Sequence, residues 1–144
     1  MTPVSLWALR VGSFLGGMCL FVAISYMETQ FYPVIDATRI VQVSRSDRAI
    51  AIMGILHKQR NCTFVGVTAH GYFKGELVGD LNVAYARRDF NGTRGPGAYE
   101  WGPILITLPP YVADVDMIDL NALHDCHPVW MTKSHQASVP IPPY

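Results

Sequence analysis

Charge is scarce in this sequence: Lys, Arg, Asp and Glu make up 15% of 144 residues, against about 25% in an average soluble domain. Between Arg10 and Glu28 there is no charged side chain at all. An excess of either sign is lacking too. From Glu28 onward ten cations face eleven anions, which argues against nucleic acid as a partner, because phosphate binding needs a basic surface. No Gly-x-Ser-x-Gly elbow is present, so nucleophilic catalysis of that type finds no support. The glycines from Gly92 to Gly97 lack the Gly-Lys-Ser/Thr of a phosphate loop and a following helix. No repeat and no low-complexity tract appears, and the length leaves room for one domain.

The uncharged stretch is the strongest positive feature. Val11 to Met27 is seventeen residues, or about 25 Å of helix, near the lower limit for a hydrocarbon core of about 30 Å. Leu6, Trp7, Ala8 and Leu9 lengthen it if Arg10 snorkels to the headgroups, and Trp7 and Tyr26 then fall near the two interfaces. Apolar residues lie all round rather than on one stripe, which favours lipid over a globular core. Two processed forms compete with an anchor. Ala23-Ile24-Ser25 loosely fits a signal-peptide cleavage site. Leu15-Gly-Gly-Met-Cys19 loosely fits a lipoprotein signal, although Met18 is the wrong size there. The N-terminal flank carries the amine and Arg10, whereas the other flank opens with Glu28 and Asp36. The positive-inside rule then places the N-terminus in the cytoplasm and the rest outside the inner membrane.

Beyond Glu28 no long helical period appears. Tyr32-Pro33 predicts an extended lead-out. Strand-like runs follow at 40–43, 49–57, 63–70, 81–85, 104–108, 115–124 and 130–139, with Gly54 a candidate bulge. Val65, Val67 and Ala69 share one face, as do Leu81, Val83 and Tyr85. Asn91 to Gly97 reads as a long turn, and 115–124 also admits one helical turn. Seven or eight short strands with turns every 8–12 residues predict a mainly β fold: one transmembrane helix, then a small disulfide-linked β-sandwich or barrel. The boundaries are an anchor over 1–27, a linker over 28–38, a β domain over 39–139 and a Pro-rich tail over 140–144.

Of three cysteines, Cys19 falls in the apolar stretch, leaving Cys62 and Cys126 in the domain. An even pair in an oxidising compartment commonly bridges, and closing so long a loop is worth about 4 kcal/mol in the chain-entropy picture. Two buried thiols are the alternative. The densest polar cluster is His124-Asp-Cys-His-Pro128. His124 and His127 converge on one metal if the segment turns, with Cys126, His135 or His70 as further ligands. A bridge would remove Cys126, and an extended strand would send the two histidines to opposite faces. Asp114, Asp116 and Asp119 lack the turn glycine and bidentate acid of a calcium loop. Trp101 and Trp130 are either core aromatics or anchors for a protein partner. Asn61-Cys-Thr63 and Asn91-Gly-Thr93 match the glycosylation sequon.

Gly54-x-x-x-Lys58-x-Arg60-x-Cys62-x-Phe64, Trp101-Gly-Pro103 and Cys126-His-Pro-x-Trp130 with Thr132 together resemble a group of small single-span membrane proteins of tailed phages and prophages of Gram-negative bacteria. The resemblance spans Gly54 to Thr132. It implies an extracytoplasmic domain with Cys62 paired to Cys126, gives Trp101 and Trp130 structural weight, and implies no activity. The function these readings favour is a non-enzymatic binding or structural component of the envelope. It needs no cofactor, is integral to the membrane, and partners an envelope protein or its own copies. The alternative is a periplasmic metal-binding module using His124 and His127.

Overall fold

In the computed structural model, residues 3–85, 94–112, 114–128 and 130–143 are described. The chain divides into two compact units, 1–33 and 34–144.

The first unit is one helix, α1 (Pro3–Phe31). It ends just before Tyr32-Pro33, since proline disfavours helix in the residue before it. Trp7–Glu28, 22 residues, is long and apolar enough to cross a membrane, rising about 33 Å. Its large apolar side chains stand exposed, Phe14, Met18, Leu20 and Val22 among them.

The second unit is β1 (Ile35–Arg45), β2 (Ala49–Lys58), β3 (Thr63–Phe73), β4 (Glu76–Tyr85), β5 (Gly97–Thr107), β6 (Met117–Asp125) and β7 (Met131–Pro140). All pairings are antiparallel and the order is β1-β2-β5-β4-β3-β6-β7. The result is one nearly closed sheet; two facing sheets, the sandwich alternative, are not what these ladders build. The expected 28–38 linker is mostly ordered, because α1 runs to Phe31 and β1 starts at Ile35. The 140–144 tail is likewise not free: Ile141 is buried and donates its N–H to the Asp116 carbonyl. Residues 117–125 are strand throughout, without a helical turn.

Arg45 reaches across the gap between the first and last strands. It hydrogen-bonds the Pro142 carbonyl at 3.2 Å and pairs with Asp114. Its guanidinium holds the Asp114 carboxyl below the usual carboxylate range, helped by the Val115 N–H. Asp116 accepts the Lys74 N–H. Two members of the acidic patch are therefore structural ties.

Bulges decide which side chains face inward. In β3 the ladder to β6 slips between Phe64 and Gly66, so Val65 is extra. It is turned outward, 52% exposed, while Val67, Ala69 and Gly71 face the core. The expected shared face of Val65, Val67 and Ala69 fails there, since one inserted residue reverses the alternation. In β5 the ladder to β2 pairs Ile52 with Ile104 but Gly54 with Trp101. Gly102 and Pro103 thus oppose Met53 alone. Gly102 has φ +95°, and a Cβ there would lie 2.5 Å from the Ile52 carbonyl oxygen; only glycine fits. At Gly54 the Trp101 ring occupies the place of a side chain, 2.7 Å from a notional Cβ.

Candidate functional site

The interior changes character along the strands. At the end marked by Arg45, Thr107 and Pro140, inward positions are Ile50, Ile106, Ile118, Val139 and Ile141, all buried. At the other end the same alternation in β2 reaches Lys58, and in β6 it reaches His124. β7 contributes Thr132, Ser134 and Gln136, all buried. Register pairs His124 with Thr132 and Ala122 with Ser134, so these groups share one face.

A cavity of about 50 Å³ lies at this polar end, lined by Lys58, Trp101, His124 and Gln136, with Arg94 and Glu100 also in its wall. Lys58 is 4% exposed. Its ammonium donates to the carbonyls of Cys62 and Arg94, at 2.5 and 2.6 Å. Burial, then the charge of Arg94, pulls its pKa down. No carboxylate pairs with it among the described residues. Phe64 lies edge-on to both His124 and Tyr85. Burial lowers the His124 pKa to about 4, assisted by Lys58, so the ring is neutral at pH 7.

Several polar atoms at this end are buried without a partner: Trp101 Nε1, His124 Nδ1, Thr132 Oγ1 and Gln136 Oε1. An atom so placed costs about 1–3 kcal/mol. In a folded protein it is ordinarily met by water, an ion or a ligand.

The bridge between Cys62 and Cys126 is formed, with Cα atoms 4.7 Å apart. It sits beyond the last register pair of β3 and β6, Thr63 with Asp125. It therefore ties neighbouring strands, far apart in sequence, at the polar end.

His124 and His127, the expected metal pair, do not converge. His124 is inside, whereas half-buried His127 stacks on Trp130 with ring centroids 4.5 Å apart. Cys126 is spent on the bridge. His70 is paired with Asp80, and His135 contacts Ser138. Among the described residues no three His, Cys, Asp or Glu gather as metal ligands. Trp101, 3% exposed, is a core aromatic that also lines the cavity; Trp130 is half-buried. The Asn91-Gly-Thr93 sequon, with which the expected turn begins, lies outside the described residues; the turn's last residue, Gly97, opens β5.

Sequence reasoning missed Lys58 and Gln136 as site residues. Lys58 carried a signal, since it continues the inward period of Ile50, Ile52, Gly54 and Leu56. Gln136 carried none, because a slip between Leu120 and Asn121 in the β6–β7 ladder sets its direction.

No protein-family model, no curated protein and no solved structure matches this chain.

Proposed function

We propose that the chain is a membrane-anchored envelope protein that binds rather than catalyses. Its N-terminus is cytoplasmic and its β domain extracytoplasmic, in the inner membrane. The observation that carries this reading is the bonded Cys62–Cys126 pair in the domain following an apolar helix. Disulfides persist in oxidising compartments, and a membrane-spanning α1 is the element that would deliver the domain to one. The charge asymmetry around α1 supports the orientation. Its partners are another envelope protein or further copies of itself, and the phage-type resemblance supports an accessory role at the host envelope. Absence of catalysis rests on the lack of a catalytic motif in the sequence, and the domain's charge balance argues against a nucleic-acid partner. No observation favours the metal-module alternative.

Alkaline phosphatase fused after Tyr144 tests the topology. An active fusion, with a cytoplasm-dependent fluorescent fusion dark, is the expected result; the reverse pattern overturns the orientation. A pull-down of the intact, detergent-solubilised protein then identifies the partner.

A further inference from the structure

We propose that the cavity at the polar end of the β domain binds a small monocarboxylate with a short apolar tail. The inference deepens the reading of the domain as a binding module and is independent of its membrane orientation.

Three observations set the chemistry. First comes charge. Lys58 is a buried cation with no carboxylate partner among the described residues, and its two carbonyl contacts leave one of three ammonium hydrogens unused. A buried charge is tolerated when paired, and an anion from solution would supply the pairing. Among the described residues the charged groups in the wall are Lys58, Arg94 and Glu100, and of these Lys58 alone is buried. A single buried cation matches a monoanion better than a phosphate or sulfate dianion.

Hydrogen bonding comes second. Indole Nε1–H is a donor only, so the partner missing at Trp101 is an acceptor. A carboxylate has two acceptor oxygens, enough to take the Lys58 hydrogen and the Trp101 N–H together. His124, whose Nδ1 is also unpartnered, lines the same cavity.

Shape and polarity are third. The rest of the wall is largely apolar, including Ile35, Leu56, Phe64 and Val67. Such walls suit a hydrocarbon body and disfavour a fully hydrated ion. The cavity is small, about 50 Å³, which limits the ligand to a short-chain acid.

The test uses the full chain in detergent micelles, with sodium butyrate, butyramide and inorganic phosphate as probes. Binding is followed by calorimetry and by the indole N–H resonances, with Trp101 assigned through Trp101→Phe. Saturable butyrate binding that moves the Trp101 indole resonance is expected, with butyramide at least tenfold weaker. Lys58→Gln should weaken butyrate at least tenfold as well. If that variant does not fold, the butyrate and butyramide comparison on the native chain still decides. No butyrate binding, equal binding of butyramide, tighter binding of phosphate, or butyrate binding that leaves Trp101 unmoved would each overturn the proposal. None of those results touches the fusion experiment, so the two readings fail separately.

Discussion

The two ends of the β interior are built from the same strands and held by different forces. At the apolar end Ile50, Ile106, Ile118 and Val139 are fully buried, and stability there comes from apolar area removed from water. At the polar end Lys58, His124, Thr132 and Gln136 are buried with unpaired atoms among them, and a covalent bridge joins the strands. An end that packs well needs no staple. One that keeps a cavity and unsatisfied polar groups gives up stability, and the bridge offsets that loss. Lys58 links the two features directly, since its ammonium rests on the carbonyl of Cys62.

The largest expected effect comes from removing the staple. Cys62→Ser and Cys126→Ser should each destabilise the protein by about 2–5 kcal/mol, by similar amounts, with the double variant no worse than either. Unfolding midpoints compare the three. Alkylation counts that are equal with and without reductant in the native protein would contradict the bridge and undercut the comparison. Next is Ile118→Ala at the apolar end, expected to cost about 2–5 kcal/mol through lost burial and an unfilled cavity. Its effect on butyrate affinity should be negligible by calorimetry. An affinity loss matching that of Lys58→Gln would erase the distinction between the ends.

The third test is pH. The folded-state pKa of His124 lies near 4, below its ordinary 6.5, so the unfolded chain takes up the proton first as pH falls. Its contribution is complete above 6.5 and is lost between 6.5 and about 4, at up to about 1.4 kcal/mol per pH unit. Asp114, depressed from 3.8 by Arg45, contributes above its ordinary value and loses that contribution only at lower pH. Urea midpoints across pH 4–7 should therefore slope in the native protein and flatten in His124→Leu. A parallel slope in both would assign the effect elsewhere. The smallest change is Gln136→Met, which removes an unpartnered buried oxygen at similar volume. It should leave stability unchanged or raise it by up to about 1 kcal/mol, with butyrate affinity little changed, since a carboxylate has no hydrogen to give that oxygen. Thermal midpoint and titration read the two quantities on one sample, and a clear destabilisation would mean that Gln136 is already satisfied.

Much of this architecture is legible in the residues. The apolar helix follows from the run without charge between Arg10 and Glu28. The strand at Leu81 follows from clean alternation over 81–85, and those at Ala49 and Ile104 from short apolar runs. The first half of β5 was not legible: Gly97, Gly102 and Pro103 carry the composition of a turn, yet here glycine serves a bulge beneath Trp101. The phase of β3 was hidden for a related reason, since nothing in Thr63-Phe-Val-Gly marks Val65 as the extra residue.

Composition and period are local properties, so the sequence by itself determined that one long apolar helix precedes a small β domain holding two cysteines. They also sufficed to show that the sequence carries no phosphate-loop motif and no Gly-x-Ser-x-Gly elbow. Closure of seven strands into one sheet, the bridging of neighbours β3 and β6, and the gathering of Lys58, Trp101, His124 and Gln136 around one cavity were decided only in three dimensions. Each depends on register between strands distant in the chain, and a single bulged residue sends every later side chain to the opposite face.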